Sequence, residues 1–347
     1  MSVFRPVLMI LALVFTALTA ASYEVVLLGD LHYDRADVHP ADLKGHPQKE
    51  LARNLKFWQD RAPKLLDAAA AKVNPATAFA VQVGDISQGD TSTQEGQELL
   101  FTDIMDKLGV RFKQTPLYVV KGNHDHRCPG NGTAFEKCIL PRIKNDRLIT
   151  GPNANYALVH EGDLYVFCDS EKPDLAWMKQ VFAANPQSRH TFIITHLPVI
   201  PLPNNSPWWL LFRINKAMSA DRIEFRKILT ERQAIVICAH VHHPSRIEYQ
   251  TEAGRISQIT VSSMALSQTL STWKQTGDKF ESPSLAKRLA ESPALKPQIE
   301  EYTKYMTRSD FFQGSGFAVL RVENDKVFID NYAAATPDAP SATWQLR

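Results

Sequence analysis

Seven side chains in this sequence could ligate metal together: Asp30, His32, Asp85, Asn123, His196, His240 and His242. All offer oxygen or imidazole nitrogen, and no thiolate joins them. Such a donor set suits borderline or hard ions such as Zn, Mn or Fe. It is too large for one tetrahedral zinc, and it suits two ions sharing a bridging carboxylate. Two ions about 3.5–4 Å apart can clamp the attacking and leaving oxygens of an in-line displacement at phosphorus. They also bring the pKa of bound water toward neutrality. Such a centre suits metal-assisted hydrolysis, with displacement at phosphorus among the reactions it can serve. Asp30-Leu31-His32 and His240-Val241-His242 each separate two donors by one residue. On an extended strand end, such a pair points the same way.

These residues need strands to carry them. Short apolar, β-branched-rich runs precede each one: Val25–Leu28, Phe79–Val83, Leu117–Val120, Phe192–Ile194 and Ala234–Cys238. Each run ends at a turn, as a buried strand does. Helical patterns lie between them. Residues 49–72 have helical spacing, with Pro63 starting a second helix or kinking the first. Ser92 and Glu95 read as a capping box before Leu99, Leu100, Ile104, Met105 and Leu108, with Gly109 as the stop. Residues 174–184 and 219–231 are further amphipathic helices, and 316–322 with 326–332 form a closing hairpin. Alternating strands and helices give an α/β sandwich whose polar turns share the ligand-binding edge.

The chain has 347 residues, 44% of them hydrophobic, which suffices for a large core. A net charge of +2 gives no basic surplus for nucleic acid. Arg5, the apolar run Val7–Leu18 and small residues through Ser22 form a secretory signal over residues 1–22. The apolar run is shorter than the roughly 20 residues a membrane span needs. The mature protein is therefore expected to be exported, periplasmic or secreted, without stable membrane insertion. Cys128 and Cys138 could pair in a Gly- and Pro-rich loop, while Cys168 and Cys238 read as buried small hydrophobes. The expected domain spans 23–332, with insertions near 200–215 and 267–310 and a mobile tail over 333–347.

The ordered motifs D-x-H, G-D, G-N-H-D, H and H-x-H resemble those of the calcineurin-like metallophosphoesterase family. Each piece alone is common; five in order, each after a strand, are specific. The resemblance covers about residues 24–263, with the hairpin also compatible. It implies a four-layer β-sandwich flanked by α-helices. It implies one metal on Asp30, His32, Asp85 and His242, and a second on Asp85, Asn123, His196 and His240, with Asp85 bridging. The metals stay open among Mn, Zn and Fe, divalent or trivalent. His124 would protonate the leaving oxygen, and Asp125 would orient its imidazole. A hydroxide between the metals would attack phosphorus. Two departures stand out. Ala239 replaces the usual Gly before H-x-H, which matters only if that position needs φ > 0. Gln88 stands where the purple acid phosphatase branch carries Tyr, so a tyrosinate-bound ferric iron is not expected.

The function read from this is hydrolysis of a small-molecule phosphate ester, monoesters favoured, with diesters or phosphoanhydrides as alternatives. A binding protein that lost catalysis on the same fold is the reading of another class; the intact motifs weigh against it. Trp208, Trp209 and Phe212 read either as packing of an insertion or as an apolar wall for substrate. Arg127 and Arg213 could meet a phosphate or simply be solvated. His126 and His243 read as neighbours of the site, and His39, His46, His160 and His190 as surface residues.

Overall fold

The computed structural model describes residues 22–127, 133–143, 147–202, 210–212, 219–264, 274–277, 287, 289–291, 293 and 296–347. The signal segment through Ala21, Cys128 and hence its pairing with Cys138, Trp208, Trp209 and Arg213 lie outside the described residues.

Two sheets face each other. The first has the order β15 (Ala342–Gln345), β14 (Lys326–Ala333), β13 (Gly316–Glu323), β1 (Ser22–Leu28), β2 (Thr77–Gln82), β3 (Leu117–Val119). The second has the order β11 (Lys274–Gly277), β12 (Met306–Gln313), β9 (Ser245–Thr251), β10 (Gly254–Thr260), β8 (Ile235–Cys238), β7 (Thr191–Thr195), β6 (Asp163–Cys168), β5 (Tyr156–His160), β4 (Ile149–Thr150). Strand β1 runs parallel to β2, β2 to β3, and β7 to β8. Every motif follows one of these five strands, so the motifs of both sheets gather at one end of the sandwich.

Alternation along the second sheet shows how the layers stack. Tyr165, Phe167, Phe192, Ile194, Ile235 and Ile237 pack toward the first sheet. Their neighbours Val166, Cys168, Ile193 and Val236 pack on the opposite face, with Trp177, Met178, Phe225 and Leu229. Those last four belong to helices at Leu175–Ala184 and Ser219–Glu231. On the outer side of the first sheet lie α1 (Gly45–Asp60), α2 (Ala62–Ala70) and α3 (Gln94–Phe112). They contribute Phe57, Leu65, Leu66, Leu100, Phe101 and Ile104 to the core. The expected arrangement, helices on both sides of a two-sheet sandwich, is what forms. Cys168 and Cys238 are fully buried, as expected of small hydrophobes.

Several local expectations need correction. The tail over 333–347 is no loose end. Ala342–Gln345 pairs with β14, and Trp344 and Leu346 are buried. Its small residues and prolines hid a short edge strand anchored by two apolar side chains. Thr93, not Ser92, caps α3, its Oγ1 accepting from the Gly96 amide at 3.1 Å. That helix also runs past Gly109 to Phe112, whose burial holds the last turn against the core; Lys113, at φ 48°, makes the exit. Part of the segment expected as a helix-prone insertion instead supplies β11 and β12 to the second sheet, beside a helix at Lys296–Thr303. Phe212 is buried against Phe225, so it is core packing.

At the end of the sandwich opposite the motifs, Asp163 on β6 joins the sheets. It is fully buried and accepts from Tyr23 Oη on β1 at 2.6 Å and from Arg189 Nε at 2.9 Å. The His190 amide donates to it at 3.0 Å. Hydrogen bonds on this scale offset the cost of taking the carboxylate out of water. His190, read from sequence as a surface residue, is buried; His39, read likewise, is half-buried, with a side chain only 4% exposed. His39 contacts Asp34 at 2.6 Å.

Candidate metal centre

The predicted ligands converge. Asp30, His32 and His242 bring one donor atom each within 4.8 Å of one another, and Asp85, His196 and His240 do the same. These sets are the cores of the two expected metal sites. Asn123 joins the second, its Oδ1 lying 3.1 Å from His196 Nε2. Asp85 Oδ2 is 3.0 Å from His196 Nε2 and 3.9 Å from His32 Nε2, so it sits between the sets.

The spacings suit donors that share a metal ion. His242 Nε2 lies 3.1 Å from Asp30 Oδ1 and 3.3 Å from His32 Nε2; His240 Nδ1 lies 3.3 Å from His196 Nε2. Metal–nitrogen and metal–oxygen bonds of about 2.0–2.2 Å place neighbouring donors roughly this far apart. Among the described residues, neither oxygen of Asp30 nor Oδ2 of Asp85 receives a well-formed hydrogen bond, although both groups are buried. Buried, unbonded carboxylate oxygens facing imidazoles are costly in a protein alone and satisfied by cations.

Electrostatics agree. Burial alone would raise the Asp30 carboxyl, but His242 and His196 outweigh it and hold it at about 2. Burial would likewise raise Asp85, yet His196, His124 and His32 keep it well below the carboxylate range. Burial pulls His32 well below its ordinary value and His240 down to about 3, leaving both in the neutral form that ligates metal. Burial would also lower His196, but Asp85 beside it lifts it to about 9. A cation there would stand where that proton does. His196 Nδ1 is 2.9 Å from the Val83 carbonyl, an acceptor only, so Nδ1 carries hydrogen and Nε2 presents a lone pair.

The i, i+2 argument reached the correct residues by an incorrect geometry. The donors lie beyond the strands, in turns with left-handed backbone: His32 at φ 43°, Asp85 at 52°, His240 at 68° and His242 at 64°. Such conformations cost about 1–3 kcal/mol each and persist where surrounding structure enforces them, as at functional sites. The left-handed positions after β8 are the histidines themselves. Ala239 carries no positive φ, so replacing the usual Gly is harmless. Two glycines are indispensable. A Cβ on Gly84, at φ 88°, would lie 2.6 Å from the His196 ring, and one on Gly122 would lie 2.2 Å from Asp85 Oδ1. Gly84→Ala is therefore expected to displace His196 and weaken metal binding about 10–100-fold, the range seen when a ligand loses its support. Competition with a fluorescent chelator measures this.

His124 stands beside both sets. One of its ring nitrogens lies within 4.8 Å of donor atoms of His32 and Asp85, and its amide donates to Asp85 Oδ1 at 2.8 Å. Its Nδ1 is 2.8 Å from the Gln88 carbonyl and 3.4 Å from Arg127 Nη1. A carbonyl only accepts and a guanidinium only donates, so the two contacts demand opposite tautomers. The shorter contact takes the hydrogen. Nδ1–H then donates to Gln88, and Nε2 is the nitrogen left for substrate. This overturns the orienting role expected of Asp125. Its buried carboxylate accepts from the amides of Gly122 at 2.9 Å and Ser87 at 3.1 Å, and from Ser87 Oγ at 3.2 Å. Asp125 thus clamps the G-D turn to the G-N-H-D turn. The His124 ring is oriented by a main-chain group, which a sequence does not display. His126, read as a neighbour, contacts Asp169 Oδ1 at 2.9 Å.

A two-sheet sandwich flanked by helices thus carries two carboxylate–imidazole clusters at one end. The family model of the calcineurin-like phosphoesterases matches residues 23–244, and the chain belongs to that family. Solved structures agree on the fold. A purple acid phosphatase from yellow lupin (Lupinus luteus) seeds superposes with TM-score 0.57 at 10% identity, covering 94% of this chain and 54% of that one. A dimetal phosphatase from Danio rerio gives 0.53 at 13% identity, covering 94% and 99%. PhoD gives 0.56 at 8% identity, covering 94% and 69%. This chain thus spans about half the length of the lupin protein. No curated protein matches it in sequence. Family and fold together imply a dinuclear centre, and the donor set above fits one.

Proposed function

We propose that this chain is an exported phosphatase that hydrolyses small phosphomonoesters with two metal ions. The observation carrying the proposal is the pair of buried carboxylates, Asp30 and Asp85, facing four imidazoles with both Asp30 oxygens and Asp85 Oδ2 left without a hydrogen bond among the described residues. Asp30, His32, Asp85 and His242 would hold one ion, and Asp85, Asn123, His196 and His240 the other. Bound there, the ions would polarise the phosphoryl oxygens and lower the pKa of water. In the reaction, a water oxygen bonds to phosphorus as the P–O ester bond breaks, its electron pair staying on the leaving oxygen. His124 would enter the step as imidazolium, with Nδ1–H on the Gln88 carbonyl; Nε2 donates its proton to that oxygen, leaving neutral imidazole, and a proton from the attacking water restores the imidazolium. Export is supported by the basic, apolar and small-residue order of the first 22 residues. Among the described residues, no helix is long and apolar enough to cross a membrane.

Arg127 supports the monoester reading. Its guanidinium lies beside His124 and is held only loosely by Asp90, at 3.7 Å between exposed groups. A monoester dianion carries one more charge than a diester and gains more from such a donor. Arg127→Ala is expected to lower kcat/KM for p-nitrophenyl phosphate about tenfold, a charge-assisted contact of roughly 1.4 kcal/mol, and for bis-p-nitrophenyl phosphate less. Wild type should prefer the monoester. Preference for the diester, with equal effects of the substitution, would move the assignment to phosphodiesterase.

A further inference from the structure

The hydrogen bond orienting His124 comes from the main chain of Gln88, and something must aim that carbonyl. Gln88 is 3% exposed and fixed on three sides. Its amide donates to the Tyr33 carbonyl at 2.9 Å. Its side-chain Nε2 donates to Glu50 Oε2 at 3.3 Å, and its Oε1 accepts from Asn54 Nδ2 at 3.0 Å. Glu50 and Asn54 both lie on α1.

Asn54 is out of place for packing alone. With Phe57 it is one of the buried residues of α1, a position where an aliphatic side chain would serve the core. Instead, an amide is buried at 1% exposure and its Nδ2 serves two acceptors: Gln88 Oε1, and Asp34 Oδ2 at 3.3 Å. Asp34 in turn takes the Arg35 amide at 2.9 Å and contacts His39 Nε2 at 2.6 Å. Asp34 lies just after the Asp30–His32 turn, and Gln88 just after Asp85. One buried amide therefore joins the segments following two metal-ligand turns to a rigid helix. Burying such a network is costly unless each member is satisfied, and satisfied it fixes geometry.

We propose that Asn54, acting through Gln88, is a positioning residue for the proton donor: it holds the Gln88 carbonyl where it accepts from Nδ1–H and fixes the direction of the His124 ring. The inference rests on the hydrolase reading above, in which His124 protonates the leaving oxygen. Neither Asn54 nor Gln88 contributes a side chain to the metal sites, so their loss should spare the ions. Misplacement of a reacting group by about 1 Å costs up to about 100-fold. That cost falls on substrates whose leaving oxygen needs a proton.

The test compares p-nitrophenyl phosphate, whose leaving group needs little protonation, with an alkyl phosphate, whose leaving group needs much. Asn54→Leu removes the amide at similar volume, Asn54→Asp keeps its shape but cannot donate, and Gln88→Met removes the acceptor from the loop side. Each is expected to lower kcat for the alkyl ester at least about tenfold and for p-nitrophenyl phosphate by no more than about twofold, with bound metal unchanged. Gln88→Met reports even if the helix substitutions impair folding. Equal losses on both esters, or no loss on either, would overturn the proposal. His124→Ala run alongside locates a failure. If it shows the leaving-group dependence and the other variants do not, the positioning role is wrong. If His124→Ala itself shows none, the proton-donor reading is wrong and this inference falls with it.

Discussion

Asp85→Asn is expected to abolish turnover, lowering kcat for p-nitrophenyl phosphate by about three orders of magnitude, or roughly 4 kcal/mol of transition-state stabilisation. Asp85 is where the two donor clusters meet: Oδ2 lies 3.0 Å from His196 Nε2 and 3.9 Å from His32 Nε2. An amide there removes one negative charge and presents either a neutral oxygen or two hydrogens to a cation. The same side chain accepts the His124 amide through Oδ1, so substitution also loosens the turn that carries the proton donor. Metal content should fall together with rate. A variant that kept both ions and near-normal turnover would show that Asp85 does not bridge.

His124→Ala should separate chemistry from metal binding. The variant is expected to keep its ions, because Nδ1 is engaged with the Gln88 carbonyl and the metal clusters are complete without it. Its kcat should fall by about 10²–10⁴-fold, the usual contribution of a positioned acid or base, and most for alkyl esters. Rates measured over a series of leaving groups check this. Equal loss for aryl and alkyl esters would mean that His124 contacts the phosphoryl oxygens without protonating the leaving group.

Much of this site was legible in the sequence because its ligands sit at strand ends, and strand ends show as apolar runs broken by Gly, Asp and His. The five runs became the five strands carrying the site, and the hairpin fell at Gly316–Glu323 and Lys326–Ala333. What escaped is of another physical kind. The orientation of His124 comes from a carbonyl, and every residue has one. Asn54 is 31 positions before Asp85 on an amphipathic helix, where an Asn reads as solvent-facing. The enclosed side chain of His39 and the burial of His190 depend on Asp34 and on packing between the sheets, which no local pattern signals. The strand at Ala342–Gln345 was hidden because its apolar anchors, Trp344 and Leu346, are few and follow a stretch of Ala, Pro and Thr.

The central claim is that Asp30, His32, Asp85, Asn123, His196, His240 and His242 form one dinuclear hydrolytic centre. The most direct test is metal content per chain of the purified mature protein by inductively coupled plasma mass spectrometry, with p-nitrophenyl phosphate turnover followed on the same samples. Two ions per chain are predicted, with turnover lost on chelation and restored by Mn²⁺, Zn²⁺ or Fe²⁺. A chain that binds no metal and hydrolyses nothing under any of these ions would contradict the account and leave a binding role for the fold.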